Sequence, residues 1–140
     1  DMAYWPDTPD RRTATFWLAI DDSTEANGCM QFVPPTTREA ALRPHAPVFG
    51  GRGTSHALGT TLLATDVPVP RPISRGDCTV HNERVLHGSG GNATAGHRRA
   101  YILAYRSEDT VRRERELGFT HSHNDHHDVL DSVGVDGETT

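Results

Sequence analysis

The 140-residue sequence has little with which to build a large interior: hydrophobic residues make up 34% and aromatics 6%, and mean hydropathy is -0.61. A small core and extensive polar loops follow. Positive charge is also short, with 14 Lys/Arg against 19 Asp/Glu and a net charge of -5. No run of basic residues is interleaved with aromatics, so nucleic acid is not an expected partner. No window approaches the ~20 apolar residues of a membrane span, so no membrane partner is expected; no basic-then-apolar leader opens the chain, which means little in a sequence that reads as beginning mid-protein. Cys29 and Cys78 stand far apart without a CxxC pairing. They read as buried free thiols of a reducing, cytoplasmic compartment, with a single disulfide as the alternative. No segment repeats.

What is present is a series of short strand-like runs separated by Gly, Pro and Asp/Asn turns. Residues 13–20 (TATFWLAI) are β-branched and aromatic, and Cys29 to Val33 forms a second run stopped by Pro34-Pro35. Asp21-Asp22 looks like a carboxylate pair, but it opens a polar turn, and turn capping is the expected role. Residues 36–59 read as a long loop with one helical turn near Arg38 to Leu42, and residues 60–69 as one or two short strands. Ser74 to Asp77 is a tight turn into a strand at residues 78–81. Arg98 to Arg106 is the clearest strand, with Arg98, Ala100, Ile102 and Ala104 on one face and Arg99, Tyr101, Leu103 and Tyr105 on the other. Residues 110–117 are a candidate helix, and residues 120–140 a polar tail. Many short strands with Gly/Pro turns indicate an all-β sandwich or barrel. The strands are too few to close a barrel, so the sequence reads as beginning mid-domain.

The chemistry concentrates in residues 76–100. His87 lies at the lip of a strand in His87-Gly88-Ser89-Gly90, and Arg98 follows eleven residues later. Imidazole suits a redox metal, and a planar, permanently charged guanidinium suits a carboxylate, so this hairpin offers a ligand and an anion clamp. Arg98 is expected to face the interior and Arg99 the solvent, because strand residues alternate. A buried arginine there needs an anion as compensation. Asp1, in Asp1-Met2-Ala3-Tyr4-Trp5-Pro6, is a further candidate metal ligand.

Pieces taken in order, residues 1–6, 16–22, 25–30, 76–77, then 87–90 and 98–100, resemble the phytanoyl-CoA dioxygenase family of Fe(II)/2-oxoglutarate oxygenases. The resemblance covers about residues 1–106 and implies an all-β double-stranded β-helix, or jelly roll, incomplete at the N-terminus. It implies a 2-His-1-carboxylate iron site with Asp1 as the carboxylate and His87 as the distal histidine. The proximal histidine would lie two residues before Asp1, outside this sequence. Arg98 matches the arginine that holds the distal carboxylate of 2-oxoglutarate, and Trp17 and Ser89 match further co-substrate contacts. The implied cofactors are Fe(II), 2-oxoglutarate and O2. The implied reaction is hydroxylation of a small organic substrate coupled to conversion of 2-oxoglutarate into succinate and CO2. Residues 107–140 would form a charged, His-rich extension.

Each of these residues also has a plainer reading. A turn histidine can simply cap a hairpin, a terminal aspartate is ordinarily solvated, and a strand tryptophan is usually core. His81 is expected to be buried or to hydrogen-bond behind the metal site rather than to bind the metal. The tail histidines of residues 121–127 have no surrounding core to make a site. Thr37 departs from the family, which often carries a histidine there. Two rivals follow: a jelly-roll binding module that has lost its metal, and a different metal cupin using His81 and the tail.

Overall fold

The computed structural model describes residues 12–48 and 58–119. Its longer strands are β1 (Thr13–Ala19), β2 (Met30–Val33), β6 (Cys78–His81), β7 (Leu86–Ser89) and β8 (Ala100–Arg106). Two-residue strands β3 (Ala46–Pro47), β4 (Leu58–Gly59) and β5 (Val69–Pro70) lie between them, and helix α1 (Glu108–Glu116) follows. Two antiparallel sheets, ordered β6-β1-β8 and β5-β2-β7, carry the fold, and β3 pairs with β4. Trp17 and Ala19 of the first sheet and Met30 and Phe32 of the second share one buried cluster with Val85. This two-sheet arrangement with crossing connections is an incomplete jelly roll.

The alternation expected along β1 is present: Thr15, Trp17 and Ala19 are buried, and the residues between them are not. Pairing transfers that parity to the neighbours. Trp17 lies opposite Thr79 and Ile102, Thr15 opposite His81, and Ala19 opposite Ala100. Thr79, His81, Ala100 and Ile102 therefore belong to the inward face.

Two turns set the ends of the strands. Asp22 to Gly28 is closed by Thr24 N donating to Asn27 Oδ1 at 2.7 Å and by Asn27 Nδ2 donating to the Asp22 carbonyl at 2.8 Å. It ends on Gly28 at φ +81°, where a Cβ would overlap the Gly90 carbonyl. Only glycine combines that angle with that approach. The loop after β7 thus folds down onto this turn, and Ala93 N donates to the Ala26 carbonyl at 3.0 Å.

Several boundaries differ from the sequence reading. The helical turn is a 3-10 helix at Pro34–Arg38, not at residues 38–42, because Pro34 and Pro35 start a helix as readily as they stop a strand. Between Thr60 and Val69 only the beginning of β5 is strand, Pro68 and Pro70 having no N–H to give a ladder. The last strand begins at Ala100, two residues after Arg98. Both cysteines are free, but Cys78 is exposed rather than buried, since it sits on the outward face of edge strand β6.

Helix α1 begins with Ser107 accepting from Thr110 N at 3.2 Å and ends at Gly118, φ +74°. Its two buried positions are Thr110 and a charge, Glu114, which meets Arg106 at 2.6 Å while Arg106 Nε lies 3.1 Å from Glu83. This three-residue ion network fastens α1 to the end of β8. Among the described residues no helix is long and apolar enough to cross a membrane.

Candidate active site

Strand β7 carries the central histidine, and its entry is fixed by hydrogen bonds. Thr36 Oγ1 donates to the Val33 carbonyl at 2.7 Å and accepts from Leu86 N at 2.8 Å, tying the 3-10 helix to the first residue of β7. Pairing with β2 then sets His87 opposite Phe32 and Ser89 opposite Met30. His87 Nδ1 lies 2.8 Å from the Val85 carbonyl. That contact puts the ring proton on Nδ1 and makes Nε2 the electron-pair donor, which is how metal-binding histidines are commonly oriented. Burial holds the His87 ring toward its neutral form. A neutral imidazole with a fixed tautomer fits a divalent iron.

His81 stands beside it, with ring centroids 4.5 Å apart and planes tilted by 54°. It is buried, and burial together with the neighbouring His87 pulls its pKa down to about 4. Among the described residues neither of its ring nitrogens has a hydrogen-bond partner. A buried imidazole without a partner is costly. The sequence expectation of burial is therefore met, and the absent partners are a new feature.

On the other side of His87, Arg98, Trp17 and Ser89 come together as the sequence reading expects. The Arg98 guanidinium carbon sits 5.2 Å from the Trp17 ring centroid, and Nη2 donates to Ser89 Oγ at 3.3 Å. Trp17 is both core and the platform for this arginine. Arg98 is half-buried rather than buried, because it precedes β8 instead of lying within it. Among the described residues no carboxylate pairs with it.

Arg99 turns the opposite way onto Asp21, donating from Nε and Nη2 at 2.8 Å each and from its backbone N at 2.9 Å. This fork holds the Asp21 carboxyl well below the usual carboxylate range. Asp21 is thus an arginine clamp rather than a turn cap, while Asp22 accepts from Arg75 N at 2.8 Å. The pair matters to the site because it occupies Arg99 and leaves Arg98 as the guanidinium facing inward.

Asp1 and the tail histidines lie outside the described residues. Among the described residues no group of three His, Cys, Asp or Glu side chains is placed to hold a metal. Thr37 donates to the Pro34 carbonyl at 2.9 Å, and its side chain borders a cavity next to His81. Reasoning from the sequence missed two further residues of that cavity, Arg71 and Thr79. Strand parity with His81 was the available signal for Thr79. For Arg71 it was an arginine held between Pro70 and Pro72.

An incomplete jelly roll with a neutral, oriented histidine at one strand lip and an inward arginine just before the last strand describes the cupin-like class of metal oxygenases. A family model described as phytanoyl-CoA dioxygenase (PhyH) matches residues 1–100, and the chain belongs to that family. A probable phytanoyl-CoA dioxygenase of Caenorhabditis elegans is 30% identical over 113 residues, 80% of this chain and 36% of that protein. The peroxisomal phytanoyl-CoA dioxygenase of Rattus norvegicus is 31% identical over 111 residues, covering 78% and 32%. The chain therefore spans about a third of the length of these relatives. Among solved structures, EvdO2 from Micromonospora carbonacea var. aurantiaca complexed with 2-oxoglutarate matches with TM-score 0.59 and 29% identity, over 68% of this chain and 38% of that one. The epimerase SnoN in complex with Fe3+, alpha ketoglutarate and nogalamycin RO matches with TM-score 0.52 and 27% identity, over 72% and 37%.

Proposed function

We propose that the protein is a non-haem Fe(II)/2-oxoglutarate-dependent dioxygenase that hydroxylates a small organic substrate, with residues 1–106 belonging to its jelly roll and residues 107–140 an extension. The observation that carries this reading is the half-buried Arg98, stacked on Trp17, beside a histidine held neutral and oriented. His87 and Asp1 are the iron ligands that this chain contributes. The Val85 carbonyl keeps His87 in the tautomer that presents Nε2 to the metal. Arg98 grips the far carboxylate of 2-oxoglutarate, Ser89 adds a hydroxyl to the same group, and the Trp17 face keeps the guanidinium from swinging into solvent. Bound Fe(II) supplies the redox chemistry that couples decarboxylation of 2-oxoglutarate, giving succinate and CO2, to oxidation of the substrate by O2. A jelly-roll binding module without metal is the rival. It gives no reason for an inward arginine that meets no carboxylate among the described residues and lies next to a neutral imidazole.

The test is succinate formation against 2-oxoglutarate concentration in the full-length gene product. Arg98→Ala should weaken co-substrate binding by ~2–5 kcal/mol, at least about 25-fold, and Arg99→Ala far less. If Arg99→Ala were the crippled variant, the inward and outward assignments would be reversed. If neither changed the dependence, the protein would not use 2-oxoglutarate in this way.

A further inference from the structure

A cavity of about 400 Å³ opens between the β6 edge of one sheet and the β5 edge of the other, with Phe32 and Val85 among its apolar walls. Its size falls in the range of small-molecule sites. Three buried polar atoms on its wall, Thr79 Oγ1 and both ring nitrogens of His81, have no hydrogen-bond partner among the described residues. Buried polar groups without partners are rare in folded proteins and point to an absent bonding group. Arg71 and Thr37 border the same cavity. Arg71 N donates to the Met30 carbonyl at 2.8 Å, extending the β2–β5 pairing by one residue. Met30 faces inward on β2, so strand parity sends the Arg71 side chain to that same inner side. The only hydrogen bond of that side chain among the described residues is a long one, 3.4 Å, to the Pro70 carbonyl.

We propose that this cavity binds a small organic oxyanion with an apolar body. The carboxylate or phosphate end pairs with Arg71, Thr79 and His81 complete its hydrogen bonds, and the body lies against Phe32 and Val85. The cavity is walled by Phe32 and His81, the two rings next to His87, and not by Arg98, Ser89 or Trp17; assigning the oxyanion as the substrate rests on the oxygenase reading. A guanidinium suits both carboxylate and phosphate through paired N–H···O bonds.

The experiment is calorimetric titration of the full-length protein, free of iron and 2-oxoglutarate, with hexanoate, hexyl phosphate and hexan-1-ol. At least one of the two anions should bind about tenfold or more tightly than the alcohol. Arg71→Gln should erase that preference, Arg71→Lys should keep part of it, and the surface change Arg75→Gln should keep it whole. The identity of the preferred anion tells carboxylate from phosphate. Equal binding of all three probes would overturn the proposal, as would a preference that survives Arg71→Gln. Displacement of the anion by 2-oxoglutarate, together with its loss in Arg98→Gln, would place it in the co-substrate site and also overturn the proposal. If the protein binds neither iron nor 2-oxoglutarate while the Arg71-dependent preference holds, the oxygenase reading fails and the oxyanion site stands.

Discussion

Arg106→Met should be among the most damaging single changes in the described part of the chain. Arg106 lies within 3.1 Å of Glu83 and 2.6 Å of Glu114, and the three side chains are 6%, 2% and 2% exposed. Removing the arginine strands two buried carboxylates. Breaking a buried pair from one side costs ~3–5 kcal/mol, a large share of the ~5–15 kcal/mol that stabilises a typical domain. The loss should depend on pH. Burial pushes the Glu83 carboxyl up, and Arg106 opposes that shift. The folded state therefore binds a proton on Glu83 at higher pH than the unfolded state does, and stability falls as pH rises between the two values. Without Arg106 the folded value rises further, so the variant should lose more at about pH 7 than at about pH 5, where protonation relieves the stranded charge. Urea unfolding followed by tryptophan fluorescence at both pH values measures this. Replacing Arg106, Glu83 and Glu114 together by apolar residues should recover most of the loss. A cost below ~1 kcal/mol for Arg106→Met, or an equal cost at both pH values, would refute a buried network held by this arginine.

Gly28→Ala should lower the thermal midpoint and also weaken 2-oxoglutarate binding, because an added Cβ meets the Gly90 carbonyl in the loop between Ser89 and Arg98; both are read from thermal unfolding with and without 2-oxoglutarate. Asp21 has a carboxyl value depressed by Arg99, so its contribution is present above the ordinary carboxylate range and is lost as pH falls through the depressed value. Asp21→Asn should accordingly flatten the acid side of a plot of thermal midpoint against pH, and an unchanged plot would count against the clamp.

Much of the arrangement around the candidate site was legible because it rests on local rules. Strand alternation separated Arg98 from Arg99, and the His87-Gly88-Ser89 turn marked where a histidine could face a pocket. The same alternation along β1 exposed Trp17 to both core and arginine. What the sequence concealed depends on partners distant in the chain. Asp21 meets Arg99 across 78 positions, and no local pattern distinguishes that clamp from a turn cap. Glu114 looks like any solvent-facing helix charge until β8 brings Arg106 beneath it. The cavity flanked by Arg71 and Thr79 exists only because two sheet edges face one another. Cys78 was misread because burial on an edge strand is set by which neighbours exist, not by residue type.

The central claim is that His87 is an iron ligand, and metal binding tests it without any knowledge of the substrate. Equilibrium dialysis of Fe(II) under anaerobic conditions, on the full-length gene product and its His87→Ala variant, is the measurement. The account predicts about one iron per wild-type chain in the open three-ligand site. In the variant it predicts a loss of affinity beyond the ~10–100-fold typical of removing an outer-shell partner. Iron binding that is unchanged in His87→Ala would contradict it.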